Sequence, residues 1–395
     1  MSEAVTKVGA MSTVKFVHTA DWQLGMKRHV LGERHSSFDD ARMDSVRAIV
    51  ARAEEEGVDF ILAAGDVFDD NTVATQYVMR ALSVLGETQI PVYILPGNHD
   101  LFSAGTVYES KTFKNYRPSN VHVIESIEPV QVREGVEIVG LPVVSKYPLP
   151  ADLEELGGKF STSGDEGIRI LALHGGTDLV FSGSDEDDED DGQFSIAGME
   201  RLITSGAVHY VALGDRHSVT ELGTTGRIWY SGAPEVTAFD DREKDSGQAL
   251  LVEIDSDDCS VEAFRTGSWK MMRIDADLDS EGDLELLKSR LDGTGDKEKT
   301  IVKLTLNGTV SLELGRNLDQ LVEDYAELFA NVRVRKASTL VRRPEFDDIS
   351  DLFSGYARDA AEDLTEMSIA GGADARTAED ALGLLYRLSR AEAES

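Results

Sequence analysis

Asp21-Trp22-Gln23, Gly65-Asp66, Gly97-Asn98-His99-Asp100, His174-Gly175-Gly176 and Gly214-Asp215-Arg216-His217 occur in that order along the chain, each behind a short apolar run. Carboxylates, imidazoles and amides are the donors with which a protein holds two divalent cations, and such a pair, roughly 3.5–4 Å apart, is an apparatus for hydrolysing phosphoesters. The apolar runs at 15–17, 60–63, 92–95, 168–173 and 210–213 read as buried strands. Strands that release polar residues at their carboxyl ends gather them along one edge of a sheet, where ligands distant in sequence can meet. A lone Gly-Asp or Gly-Asn-His-Asp is an ordinary turn; the signal is the order of all five motifs, each behind a strand.

These motifs resemble those of the calcineurin-like metallophosphoesterases and, within that superfamily, of the SbcD-type DNA repair exonucleases. Phe68-Asp69-Asp70-Asn71, and Tyr230-Ser231-Gly232-Ala233-Pro234-Glu235 followed by Phe239, resemble segments of those nucleases more than of protein phosphatases. The resemblance runs from about residue 15 to about residue 255. It implies a layered α/β sandwich and two divalent metal ions. By the family pattern, Asp66 bridges the two; Asp21, Gln23 and His217 complete the first site, and Asn98, His174 and Asp215 the second. His99 is then free to act as general acid or transition-state partner, and Asp100 either orients it or closes the turn. Arg216, between two ligands, is either a substrate phosphate contact or a surface salt bridge. Trp22 stacks on a base or packs beneath the site, and Asp69, Asp70 and Asn71 read as helix caps rather than ligands.

Two positions depart from the pattern. Gln23 stands where the family has a histidine, and Asp215 takes the place of the first histidine of the last motif. An amide oxygen is a weaker ligand than imidazole, whereas an added carboxylate makes the site harder and more negative, so Mn2+ or Mg2+ is expected over Zn2+. The resulting expectation is a Mn2+ centre with the first metal bound more weakly than the second. Both replacements keep a donor atom, which argues against a decayed site surviving as a binding scaffold. The implied chemistry is in-line attack of water on a phosphodiester, with His99 stabilising or protonating the departing oxygen.

The chain of 395 residues carries 73 acidic and 39 basic residues, a formal charge of −34. That excess would repel a polyanion at low salt. Either the host is salt-loving, since the Debye length falls to about 3 Å near 1 M salt, or the substrate is not nucleic acid; acidic residues spread along the whole chain favour the former. One cysteine, Cys259, excludes an intramolecular disulfide and fits a cytoplasmic protein. No apolar run approaches the roughly 20 residues of a membrane span, and the N-terminus lacks a signal pattern.

Four regions are expected: a leader at 1–13, a phosphoesterase domain at 14–268 with helices at 41–56 and 75–85, a small α+β capping domain at 269–340, and a helical tail at 341–395. The acidic run at 182–192 reads as a solvated loop. The second unit shows helices at 283–291 and 318–329 and strands at 300–306 and 332–335. In the resembled nucleases a capping domain here helps to shape the DNA groove. Arg333, Arg335, Lys336, Arg342 and Arg343 are then either phosphate contacts or a solvated strand edge. In the tail, Ile349, Leu352, Phe353 and Tyr356, and again Ala381, Leu384, Leu385 and Leu388, recur at helical spacing on either side of Gly371-Gly372. In the resembled family this region docks on an SbcC-like coiled-coil ATPase; packing against the capping domain is the alternative. The implied partners are DNA and that ATPase, with a homodimer left open and no membrane.

Overall fold

The computed structural model describes residues 13–27, 31, 34–145, 153–159, 167–178, 194–240, 243–244, 246–336, 338–343, 355–370, 374–375, 377–378, 381–382 and 384–385. The leader through residue 12, the acidic run at 182–192, and Ile349, Leu352, Phe353, Gly371, Gly372 and Leu388 lie outside the described residues, as do the side chains of Arg342 and Arg343. The chain divides into two compact units, Met1–Trp269 and Lys270–Ser395.

The first unit begins with β1 (Val14–Thr19), α1 (His35–Glu56), β2 (Phe60–Ala64), α2 (Thr75–Leu85), β3 (Val92–Leu95), α3 (Lys111–Tyr116) and β4 (Val121–Val123). It continues with β5 (Val130–Arg133), β6 (Val136–Gly140), α4 (Leu153–Lys159), β7 (Ile168–His174), α5 (Ile196–Thr204), β8 (Tyr210–Gly214), β9 (Thr220–Leu222), β10 (Ile228–Tyr230), β11 (Gln248–Ile254) and β12 (Cys259–Arg265). Two six-stranded sheets result, ordered β12-β11-β1-β2-β3-β4 and β5-β6-β7-β8-β10-β9.

Their central strands are parallel and covered on both faces, so their sequences are apolar without alternation. Phe16, Phe60, Leu62 and Leu95 meet Ile138, Ile170, Tyr210 and Ala212 between the sheets, with Phe16 and Phe60 stacked at 4.8 Å. The outer face of the first sheet, including Val17, Ile61 and Ile94, packs on Met43, Val46 and Leu82 of the helices. That of the second, including Leu171, Leu173 and Val211, packs on Leu153, Met199 and Leu202. The layers are therefore helix, sheet, sheet, helix, the layered α/β class that the resemblance implies. Pairing levels the strand ends: Thr19 lies opposite Ala63, Ala64 opposite Leu95, and His174 opposite Gly214.

The second unit consists of β13 (Lys270–Asp277), α6 (Glu281–Asp292), β14 (Thr300–Asn307), β15 (Thr309–Ser311), α7 (Leu312–Leu328), β16 (Asn331–Val334), β17 (Val341–Arg343) and α8 (Tyr356–Ala370). A parallel sheet β13-β14-β16 buries Ile274, Val302, Leu304 and Val332 against Leu287, Leu291, Leu318 and Tyr325. Ser311 caps α7 by accepting from Leu314 N, which starts that helix six residues before the periodicity at 318 becomes visible. Among the described residues no helix is long and apolar enough to cross a membrane.

Candidate metal centre

The five motifs leave the carboxyl ends of β1, β2, β3, β7 and β8, and the backbone strains there. Asp21, Gln23, Asp66 and Asp215 have φ of 55°, 44°, 55° and 98°; Asp296 is the fifth non-glycine residue with positive φ among the described residues. Such conformations are unfavourable for residues with a Cβ and cluster at functional sites. The motif glycines answer to close approach. A Cβ on Gly97 would lie 2.1 Å from Asp66 Oδ1, and one on Gly65 would lie 1.9 Å from His174 Nδ1, so only hydrogen fits at either position.

Asp21, Asp66 and His174, all buried, each present one ligand atom within 4.8 Å of the others, a group that could hold a metal ion. His174 Nε2 lies 3.3 Å from Asp66 Oδ1 and 3.7 Å from Asp215 Oδ1. Asn98 Nδ2 donates to Asp215 Oδ1 at 3.1 Å, and Asp215 N donates to the Asp21 carboxylate. His174 Nδ1 is 2.8 Å from the Ala64 carbonyl, which can only accept. That bond fixes the proton on Nδ1 and turns the Nε2 lone pair to the carboxylates, the posture of a metal-binding histidine. Nε2 is buried with no hydrogen-bond partner, as is Gln23 Oε1. Buried polar atoms are rarely left so, and a cation at this point would satisfy both its charge and its geometry.

On the opposite side, Gln23 Nε2 lies 3.2 Å from His217 Nε2. His217 Nδ1 faces Glu243 Oε1 at 2.8 Å and Thr237 Oγ1 at 2.5 Å, and Thr237 Oγ1 also bonds Glu243. This is the carboxylate–histidine arrangement that orients a metal ligand. Neither Glu243 nor Thr237 stands out in the sequence; the nearest signal is the 230–239 segment that carries the nuclease resemblance.

The electrostatics fit a cation. Burial pushes the Asp21 carboxyl up to about 7, with Asp66 and Asp215 adding to the rise and His217 and His174 opposing it. Burial acts the same way on Asp66, but the His174 and His99 contacts outweigh it and leave that carboxyl below its ordinary value. His217 rises to about 9 against the effect of burial, chiefly through its hydrogen bond to Glu243.

The remaining expected residues divide. His99 is exposed; its backbone N donates to Asp66 Oδ1 at 2.9 Å, and its Nε2 is 3.9 Å from Asp66 Oδ2. Its Nδ1 is held by the Asp69 carbonyl at 2.8 Å, which corrects the alternative that Asp100 orients it. Asp100 is buried and accepts from Gly97 N at 2.7 Å, Phe68 N at 3.0 Å and Tyr108 Oη at 2.5 Å; it closes the turn. Arg216 Nε donates to Thr220 Oγ1 at 2.9 Å. Trp22 is buried, its indole N–H on Thr19 Oγ1 at 2.9 Å, and so packs beneath the site. The capping expectation for 69–71 fails: Ala74 is the N-cap of α2 with no side-chain cap, while Asn71 bonds Leu101 O and Val107 N.

A layered α/β fold with this donor cluster at its strand ends defines a metal-dependent phosphoester hydrolase. The family profile described as calcineurin-like phosphoesterase matches residues 14–244, and the chain belongs to that family. It is 27% identical over 316 residues to the uncharacterized metallophosphoesterase YhaO of Bacillus subtilis, covering 76% of this chain and 73% of that one. It is 26% identical to the DNA double-strand break repair protein Mre11 of Methanocaldococcus jannaschii over 62% of this chain and 64% of the other. With the Mre11 protein of Thermoplasma acidophilum it shares 23% identity over 87% of this chain and 90% of the other.

Proposed function

We propose that the protein is a metal-dependent DNA phosphodiesterase of the SbcD and Mre11 type, acting on broken DNA together with an SbcC-like coiled-coil ATPase and using two Mn2+ ions. The observation that carries the hydrolytic reading is the cluster of Asp21, Asp66, Asn98, His174 and Asp215, in which the buried His174 Nε2, without a hydrogen-bond partner, lies 3.3 Å from Asp66 Oδ1 and 3.7 Å from Asp215 Oδ1. DNA as substrate is supported by the Thermoplasma alignment, which takes in more of the chain than the first unit alone could supply.

Asp21, Gln23, Asp66 and His217 would hold one cation and Asp66, Asn98, His174 and Asp215 the other; when bound, the pair polarises the phosphoryl group and activates water. The Asp69 carbonyl accepts from His99 Nδ1–H, which leaves Nε2 to face the reaction; with a second proton on Nε2 the imidazolium would donate to the departing oxygen, and give that proton up to it on protonation. Arg216, whose Nε donates to Thr220 Oγ1, would contact a phosphate oxygen of the substrate. A net charge of −34 calls for high salt in this role, and the same charge favours a second reading, a phosphodiesterase or phosphatase for small molecules. The test is degradation of linear single- and double-stranded DNA with Mn2+ in high salt by wild type, Asp66→Ala and His99→Ala. Cleavage lost in both variants is the expected result. Intact DNA alongside metal-dependent hydrolysis of a generic phosphodiester would establish the small-molecule reading instead.

A further inference from the structure

Arg42 belongs to none of the motifs. It lies within α1, 1% exposed, with its guanidinium carbon 5.0 Å from the centroid of the Phe38 ring. Nη1 donates to the Trp22 carbonyl at 2.9 Å, and Nη2 donates to the Val236 carbonyl at 2.7 Å. Burying a guanidinium is costly, and its rigid planar fork suits it to fixing two acceptors relative to one another.

What it fixes is specific. Trp22 is the residue between Asp21 and Gln23. Val236 precedes Thr237, whose hydroxyl and whose partner Glu243 hold His217 Nδ1. The preceding residue is anchored too, since the buried Glu235 carboxylate accepts from Ser268 N at 2.8 Å and Trp269 N at 3.1 Å. The loop opposite Gln23 is therefore pinned at three successive residues. One guanidinium ties the loop that carries Gln23 to the loop whose Thr237 and Glu243 hold His217, and Gln23 and His217 meet at 3.2 Å. The His174 side of the centre is held by other groups, the Ala64 carbonyl and the Gly97 turn.

We infer that Arg42 is a positioning residue for one half of the centre, setting the separation of Gln23 and His217 by tying the Trp22 and Val236 carbonyls. The inference rests on the reading that the centre binds two cations. It predicts that loss of the tie weakens one cation and spares the other, an effect that plain destabilisation does not produce.

The test is Mn2+ titration of the full chain by calorimetry, with electron paramagnetic resonance to separate single ions from coupled pairs. Wild type should take up two Mn2+. Arg42→Met should keep the tighter ion and weaken the other roughly 10–100-fold, the range seen when groups that orient ligands are removed. Arg42→Lys, able to reach one carbonyl, should fall between. Val58→Ala, which loosens the same core just before β2, should lower the unfolding temperature and leave both ions bound as in wild type. Wild-type titration by Arg42→Met would overturn the inference, as would equal weakening of both ions in Arg42→Met and Val58→Ala. Should Arg42→Met fail to fold, Arg42→Lys decides on the same criteria. Wild type binding no Mn2+ at all would overturn the two-cation reading and this inference with it, an outcome distinct from the others.

Discussion

Tyr108→Phe tests whether Asp100 anchors the loop that carries Asn98 and His99. The buried Asp100 carboxylate holds three donors, the backbone N–H groups of Gly97 and Phe68 and the Tyr108 hydroxyl, the last at 2.5 Å. Removing only that hydroxyl leaves the Tyr108 ring edge-on to Phe113 at 5.3 Å, so packing is preserved and one charge-assisted hydrogen bond is lost. Such bonds contribute about 1.5–3 kcal/mol. Taking about 2 kcal/mol, and a shift of about 2–4 °C per kcal/mol for a domain near this size, the unfolding temperature should fall by roughly 4–8 °C. Asp100→Asn should cost at least as much, because the amide cannot accept from all three donors at once and leaves one N–H facing an NH2. Urea and thermal unfolding of both variants, with phosphodiesterase rates measured alongside, give the comparison. If Asp100 is an anchor, stability and activity fall together, and Tyr108→Phe reproduces part of both losses. An Asp100→Asn protein as stable as wild type but inactive, with Tyr108→Phe unchanged to within about 0.5 kcal/mol, would refute the anchor and restore a direct chemical role.

Gly97→Ala should abolish binding of at least one Mn2+ while the fold persists, because the new methyl would stand 2.1 Å from Asp66 Oδ1 and 2.5 Å from its backbone N; calorimetry showing wild-type binding would contradict the close approach. Mn2+ at 100 times its dissociation constant should stabilise the protein by about 2.7 kcal/mol and chelator should reverse this, whereas an unfolding curve indifferent to both would argue against a metal centre. Burial, with Asp66 behind it, raises the Asp100 carboxyl from 3.8 to about 6. An acid held up in the folded state stabilises it below the unfolded value, and that contribution is lost as pH rises through about 6. Metal-free wild type should therefore lose more stability than Asp100→Asn across that window, and parallel urea titrations of the two would refute the shift.

The parts of this protein legible in its sequence are those where one physical demand acts alone. Parallel strands covered on both faces must be apolar throughout, and Phe60–Ala64 and Ile168–His174 show it. Gly65 and Gly97 are legible because close approach leaves no other residue. Helix starts were harder: the first turns of α1 and α7 are fixed by what they pack on and, at Ser311, by a cap, neither of which alters the hydrophobic period. The outer frame of the centre was not legible at all. Glu243 is one of 73 acidic residues and acquires a distinct environment only when folding brings it 2.8 Å from His217. Arg42 is an ordinary helix residue until the Trp22 and Val236 carbonyls converge on it, and Asp100 resembles a partner for the adjacent His99 until Tyr108 claims it.

The substitution of glutamine at position 23 bears on whether the centre is in use. Left-handed backbone at a residue with a Cβ costs on the order of 1–3 kcal/mol, and Gln23 adopts φ of 44° beside Asp21 at 55° and Asp66 at 55°. The two ligand loops are stitched together by Asp21 N to Gly65 O at 3.0 Å, Gln23 N to Asp66 O at 2.9 Å and Leu24 N to Val67 O at 3.0 Å, and these bonds hold the strained turn in place. A loop released from ligand duty could relax, exposing the amide to water and giving Oε1 a partner. Instead Gln23 stays buried in the strained conformation, its Oε1 unbonded and its Nε2 against His217. The three backbone bonds carry the strain of the turn, and the buried, unsatisfied Oε1 is the atom that a bound cation would answer.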